Sequence, residues 1–520
     1  MDDGRRGLGW MRALAVLGLA ALTLGVGLGR CGRLTYHEAF TAQAAREMIA
    51  TGDWLVPTIG RRPWLEKPPL AVWLVALAGE AAGGVTEAAA RVPSALSGGL
   101  LALGVAVFAA RRFGPGVGLL SGLIQATTVW LVLRGRLAEA DMPLACLVTW
   151  AFVAFDRLRG DETDAPGGRT AWRAAFFALL GASTLVKGIG FGAALVGASV
   201  LLALAWDHDR PAARRLAWGA GALAATLLAL AWPVLVTRRY PQALGLWTLH
   251  VTDRLATKPE HFAGGSPWWG YLPALLLQTM PWTPLALGGA VRSLGRACRR
   301  GGRYGGDRLL WAWAVAPVVL LSLATVKNGH YAIHALPPWS IWAALGLVRL
   351  GERLQRRGFA PCTLRRGVLA GLGGVGLAWS IGFLVLGPAL DARGVEWAFY
   401  ERAARSLGPD EPVVFLYNVP EWDRLPYATP FGPVPHDLAV RLYYLNRPAS
   451  CRFGADDLVS HPPAPPALPF AVIGRESDRH ALERLGRVEV LARGPETRWD
   501  RTYRLYRVTP TAGERVSSND

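Results

Sequence analysis

Lysine is almost missing from this chain: of its 56 basic residues, four are lysine and 52 are arginine. Acidic residues are scarce too, 38 of them, which leaves a formal net charge of +18 over 520 residues. An excess of that size suits a nucleic-acid binder, yet no nucleic-acid module is present, nor a phosphate-binding glycine fingerprint, nor zinc-ligand spacing. Nucleic acid is therefore not a partner on this reading. Five cysteines provide no disulfide framework, and although Cys31 and Cys451 both fall on the outer side in the topology below, their positions do not imply proximity and no bridge is expected. Charged residues make up 18% of the chain against 52% hydrophobic, and the mean hydropathy is +0.25, which excludes an ordinary soluble protein.

Long apolar runs are what the chain has instead. They lie at 8–29, 92–110, 117–133, 142–156, 172–186, 188–206, 216–237, 270–290, 309–325, 332–349 and 367–389, and they predict a polytopic α-helical membrane protein of about 11 to 13 transmembrane helices. The first run is followed by Gly29-Arg30-Cys31, a poor signal-peptidase context, so it reads as a retained helix. Leu70–Ala82 has about two-thirds of the roughly 20 residues a crossing needs and is assigned to an interfacial or re-entrant helix.

Arginine orients the bundle, because positive loops stay on the cytoplasmic side. Arg5, Arg6 and Arg12 place the N-terminus inside, and Arg111-Arg112, Arg157/Arg159, Arg210/Arg214/Arg215, the 292–308 cluster and 349–366 mark further inner loops. The segments 30–91, 134–141, around 187, 238–269, 326–331 and everything after 390 then face outward. The four lysines, Lys67, Lys187, Lys258 and Lys327, all fall in these outer loops or at their edges. A chain that uses arginine for topology thus keeps lysine where a compact ammonium meets a phosphate or a carboxylate.

Other ionisable groups gather on the same side. Glu139 and Asp141 close one outer loop; His250, Asp253, Arg254 and His261 occupy another; His330 and His334 follow Lys327. Charges at the mouth of a bundle mark a substrate or ion path, with carboxylates and imidazoles to take a proton and cations to hold phosphate. Structural alternatives stand beside these. Thr35-Tyr36-His37-Glu38 fits a capping box, Glu66-Lys67 is readable as a surface ion pair although Pro68-Pro69 makes the backbone rigid, and Asp141 is readable as a helix N-cap. His250 and His261 lack tight metal-ligand spacing, and His334 is placed within the following helix.

The stretch Leu34–Ala82 resembles the first outer loop of GT-C fold membrane glycosyltransferases, in the group that includes the lipid A 4-amino-4-deoxy-L-arabinose transferase and the protein O-mannosyltransferases. The residues that carry the resemblance are His37-Glu38-Ala39, Ala45-Arg46-Glu47-Met48, Gly52-Asp53-Trp54 and Glu66-Lys67-Pro68-Pro69-Leu70, followed in order by Arg136-Leu137, Asp141-Met142-Pro143, Leu185-Val186-Lys187-Gly188, His250 with Arg254, Pro281-Trp282-Thr283, and Lys327 to Pro338. The resemblance covers roughly the first 350 residues. It implies an inverting transferase that takes a sugar from a polyprenyl-phosphate donor and gives it to a lipid, glycan or protein acceptor. It also implies roles: Glu38 or His37 as base, Lys67 with Arg254 on phosphate, Glu66 and Asp141 orienting sugar or acceptor, Lys327 as a secondary cation, with His250 and His330 beside the donor. The chain departs from the group at His37, where an acid is usual. No obligatory cofactor is implied, and a divalent metal near Glu66 and His250 stays open. A lipid-linked-sugar transporter would carry ionisable groups at mid-membrane and a repeated half, which these spans lack; an inactive relative serving as a subunit is the other alternative.

The domain division expected is 1–390 for the membrane domain, with 30–91 as its first outer loop, and 391–520 for a small α/β extracytoplasmic domain. From Asp391 onward 17 arginines face 18 acidic residues, so the positive excess belongs to the membrane part. Val413–Tyr417, Phe470–Ile473, Val488–Leu491 and Tyr503–Val508 read as strands, with helical patterns at 436–445 and 477–486.

Overall fold

A computed structural model describes residues 7–30, 32–160, 168–188, 191–248, 267–299, 306–324, 327–391, 394–408, 411–417, 438–447, 449–460, 469–495 and 502–510. The chain forms two compact units, one of residues 1–31 and 65–388, the other of 32–64 and 389–520. The segment 32–64, which the sequence reading counted with the membrane domain, folds with the C-terminal residues instead.

In the first unit every predicted apolar run is helical. Trp10–Ala20 runs into a π turn at Ala21–Gly25, and Glu87–Phe113, Asp141–Arg159, Gly168–Lys187, Phe191–Asp207, Gly219–Arg239, Gly306–Ser322, Leu336–Arg356 and Pro361–Ile381 follow as single helices. Two runs are broken: Pro115–Gln125 meets Val129–Gly135 at 58°, and Tyr271–Gln278 precedes Thr283–Ala297. Among the described residues four segments are long and apolar enough to cross a bilayer, five if the bent pair is one span. The other predicted spans form shorter helices or helices richer in ionisable residues, so the expected number of crossings exceeds what helix length and composition alone support. Leu70–Ala81 is a separate 12-residue helix, about 18 Å long at 1.5 Å per residue, too short for a hydrocarbon core of roughly 30 Å. The chain is a multi-pass membrane protein.

Helix contacts in this unit depend on small residues. A Cβ on Gly289 would meet the carbonyl of Trp342, and one on Gly346 the carbonyl of Leu285, so Thr283–Ala297 and Leu336–Arg356 touch backbone to backbone. Several arginines assigned to inner loops pair with buried carboxylates: Arg111 and Arg112 on Asp156, Arg159 on Asp207 and Asp209, Arg308 on Asp207 at 2.8 Å. Buried charges are retained when paired in this way.

The second unit contains helix Tyr36–Thr51, a hairpin of Thr58–Ile59 with Arg62–Pro63, and a five-stranded sheet. Across the sheet the strands run Ala449–Phe453, Val413–Tyr417, Phe470–Arg475, Tyr503–Pro510 and Gly486–Arg493; the first three are parallel and the last two pairings antiparallel. All four expected strands are present, and Ala449–Phe453 is an additional edge strand. Val414, Leu416, Leu458, Phe470, Val472, Leu482, Tyr506 and Val508 form the core under the sheet.

Candidate functional site

Glu38 and His37 belong to the second unit. Thr35 caps helix Tyr36–Thr51: its hydroxyl accepts from the Glu38 amide at 3.3 Å, and its own amide donates to Glu38 Oε2 at 2.8 Å. The capping box read from the sequence is therefore real, and the Glu38 side chain is fully buried while His37 is exposed. Later members of the same motif series are also tied to the backbone. Glu47 accepts from Thr58 Oγ1 at 2.7 Å and from the amides of Gly60 and Arg61 at 2.7 and 3.0 Å, holding the hairpin. Arg46 donates to the Tyr443 carbonyl at 2.7 Å and lies 4.1 Å from the centre of that ring. Gly52 ends the helix in the left-handed region, φ 71°, which glycine adopts without strain, and Asp53 Oδ1 accepts from the Leu55 and Val56 amides.

In the first unit Glu66 and Lys67 are half-buried in the turn before helix Leu70–Ala81, with Pro69 at the N-cap position. Trp247 Nε1 donates to the Leu65 carbonyl at 2.8 Å just ahead of them. Lys327 donates to the Ala324 carbonyl at 2.9 Å. His250, Asp253, Arg254, Lys258 and His261 lie outside the described residues.

The densest constellation centres on Asp141. It is the first residue of helix Asp141–Arg159, and the N-cap is Ala140, so its carboxylate does not cap the helix as one reading held. Instead it accepts from Lys187 Nζ through Oδ1 and from Arg134 Nη2 through Oδ2 at 3.0 Å, with His330 Nε2 4.0 Å from Oδ2. Arg134 also pairs with Glu139. Lys187 ends helix Gly168–Lys187, where a cation is favoured by the helix dipole, and its ammonium stands 4.0 Å from the centre of the Tyr331 ring. His330, Tyr331 and His334 come from the 3₁₀ helix Gly329–Ala335. His334 precedes helix Leu336–Arg356 rather than lying in it.

Three loops assigned to one side of the membrane, 134–141, around 187 and 327–331, thus converge on one buried carboxylate. Two carboxylates meet a lysine and an arginine, with His330 beside them. Such a centre holds its charges in fixed positions with little reorganisation, the condition for electrostatic work on a substrate. Sequence reading singled out Asp141 and His330 and reserved Lys187 for a phosphate or carboxylate partner, which Asp141 proves to be, but gave no role to Arg134. Among the described residues no three His, Cys, Asp or Glu side chains are arranged to hold a metal ion, and the cations on Asp141 make that centre a poor metal ligand set.

The family model for dolichyl-phosphate-mannose-protein mannosyltransferase matches residues 66–235. An undecaprenyl phosphate-alpha-4-amino-4-deoxy-L-arabinose arabinosyl transferase of Edwardsiella ictaluri is 31% identical over 374 residues, covering 69% of this chain and 62% of the relative. One from Sodalis glossinidius is 31% identical over 389 residues, covering 71% and 66%. The matched segment thus spans less than two thirds of either relative. Crystal structures of ArnT from Cupriavidus metallidurans, in the apo state and bound to undecaprenyl phosphate, superpose with a TM-score of 0.73 at 21% and 20% identity, over 95% of this chain and 97% of theirs. The archaeal oligosaccharyltransferase AglB from Archaeoglobus fulgidus follows at 0.51 and 14% identity, over 85% of this chain and 65% of that one. The chain has the GT-C fold, and it is similar in sequence to the group that holds the aminoarabinose transferases and the protein mannosyltransferases.

Proposed function

We propose that this chain is an integral-membrane glycosyltransferase that moves a sugar from a polyprenyl-phosphate donor to a lipid, glycan or protein acceptor. The reaction is placed at the outer face of the cytoplasmic membrane, with the N-terminus inside and the C-terminal α/β domain outside. The observation that carries the reading is the Asp141 centre: a buried carboxylate braced by Lys187 and Arg134 beside His330, drawn from loops that the arginine pattern puts on one side. The sequence relatives are named as sugar transferases that use such a donor, which supports the same reading.

In a single displacement the acceptor oxygen forms a bond to the anomeric carbon as the bond from that carbon to the phosphate oxygen breaks. The acceptor proton passes to a base, and the lipid phosphate leaves with both bonding electrons. Glu38 or His37 is the base on this reading, and Lys67 and Arg254 steady the departing phosphate. Asp141 and Glu66 orient sugar or acceptor, with His330, His250 and Lys327 beside the donor.

The test is transfer of labelled sugar from a polyprenyl-phosphate sugar by the purified protein and by Glu38→Gln. Glutamine still serves a capping box, so the fold is kept while the proton acceptor is lost. A fall of about 10²–10⁴-fold is expected for loss of a general base. Full activity in the variant removes Glu38 from that role, and absence of transfer by the wild type with every donor tried overturns the assignment. The cap bond to Glu38 also favours a second reading, in which Glu38 is purely structural and the chain is an inactive relative.

A further inference from the structure

Next to the Asp141 centre lies a set of neutral polar side chains whose hydrogen-bonding capacity the protein does not use. His334 is 1% exposed, and neither of its ring nitrogens has a partner. Tyr271 is 1% exposed with an unpartnered hydroxyl, and Gln278 is 3% exposed with an unpartnered amide oxygen. Burying such atoms without partners is costly, and native interiors rarely retain them without a reason.

The three lie on two elements that pack against one another. Tyr271 and Gln278 begin and end helix Tyr271–Gln278, and Gln278 Nε2 donates to the Gly329 carbonyl at 2.7 Å, joining that helix to the 3₁₀ helix Gly329–Ala335. Residues three apart on a 3₁₀ helix lie on the same face, so His334 is in line with Tyr331, whose ring carries the Lys187 ammonium. Phe191 closes this face, its ring centre 5.9 Å from that of Tyr331 and 5.9 Å from that of His334. Trp313 Nε1 fixes the turn by donating to the His334 carbonyl at 3.0 Å.

Charge decides which ligand suits these side chains. Lys187 and Arg134 are already matched by Asp141 and Glu139, so a phosphate gains little there. A phenol, a carboxamide oxygen and an imidazole are neutral donors and acceptors that suit hydroxyl groups, and the rings of Tyr331 and Phe191 offer apolar surface to a sugar's carbon face. We propose that Tyr271, Gln278 and His334 form the hydroxyl-reading wall of the donor site, setting which sugar is accepted while the phosphate is held elsewhere. This rests on the reading of the chain as a polyprenyl-phosphate sugar transferase.

The experiment compares binding of undecaprenyl phosphate with that of undecaprenyl phosphate carrying mannose or 4-amino-4-deoxy-L-arabinose, to the full chain in detergent. The wild type is expected to favour a sugar-bearing form. Tyr271→Phe, which removes a single oxygen, and His334→Phe are each expected to cut that preference about tenfold, the value of one hydrogen bond of ordinary strength, while affinity for the bare carrier is kept. The preference surviving in both variants overturns the proposal and assigns these atoms to internal water. A wild type that binds bare and sugar-bearing carriers equally overturns the wall but leaves the carrier reading intact. Failure to bind any of the three lipids sinks the transferase reading, and this inference with it.

Discussion

Between Thr35 and Arg61 the carboxylates receive backbone amides, whereas around Asp141 a carboxylate receives side-chain cations. Glu38 closes a helix start, Glu47 holds a hairpin, and Asp53 sets a turn. The partners of Asp141 are Lys187, Arg134 and His330, from three other points in the chain. The first region is thus stabilised locally, and its motif density reflects folding of the second unit as much as chemistry. The second region is a long-range charge cluster that backbone hydrogen bonding does not require. A run of recognisable motifs therefore marks similarity in both, and the second gathers Lys187 and Arg134 on one buried carboxylate.

The sharpest way to break this contrast is Asp141→Asn, which leaves the Lys187 and Arg134 charges facing a neutral amide. Removal of one partner from a buried ion cluster costs about 3–5 kcal/mol, so a large drop in thermal midpoint is expected together with loss of transfer. Asp141→Asn with Lys187→Met should regain part of the stability and none of the activity. A single variant that melts like the wild type would show that the cluster is solvated and not a buried centre. Next in size is Glu47→Ala. Four hydrogen bonds to one carboxylate vanish, three of them from the hairpin and one from Gln43, and a loss of about 2–3 kcal/mol confined to the second unit is expected, read as faster amide exchange over 58–63. Unchanged exchange there would contradict the structural role given to that motif.

The smallest effect concerns pH. Arg507 donates to both oxygens of Glu411, at 2.7 and 2.8 Å, and the Gly408 amide adds a third bond at 3.0 Å. The Arg507 hydrogen bonds hold the Glu411 carboxyl below its ordinary value, against the opposing effect of burial. Since the folded value is depressed, the contribution is complete above the unfolded carboxylate value and is lost as pH falls through the folded one. Stability of the second unit should fall more steeply with decreasing pH in the wild type than in Glu411→Gln, which is less stable at neutral pH, and the two should converge in acid. Superimposable acid profiles would remove the pair from the stability of that unit.

The parts of this protein legible in its residues are those governed by local rules. Apolar runs became helices because each peptide group satisfies itself within the run. The capping box was readable because its partners are three residues apart. The strand Ala449–Phe453 was not, because although Ala-Ser-Cys-Arg-Phe alternates apolar and polar residues, five residues with few strong strand formers give little signal until they pair in parallel with Val413–Tyr417. Lys187 stood out as one of four lysines, but nothing within its own stretch indicates a carboxylate 46 positions earlier. Tyr271 and Gln278 carried no signal at all, because an unused hydroxyl or amide is recognisable only once its surroundings are known.

By itself, then, the sequence determined the membrane character, the helices and the kinship, through composition, apolar run length and motif order. Tertiary structure alone decided that 32–64 folds with the C-terminal residues, that Asp141 answers Lys187 instead of capping its helix, and that His334 is buried without a partner. The reason is physical: helix propensity and capping act over a few residues, whereas a buried charge finds its counter-charge through packing of segments far apart in the chain.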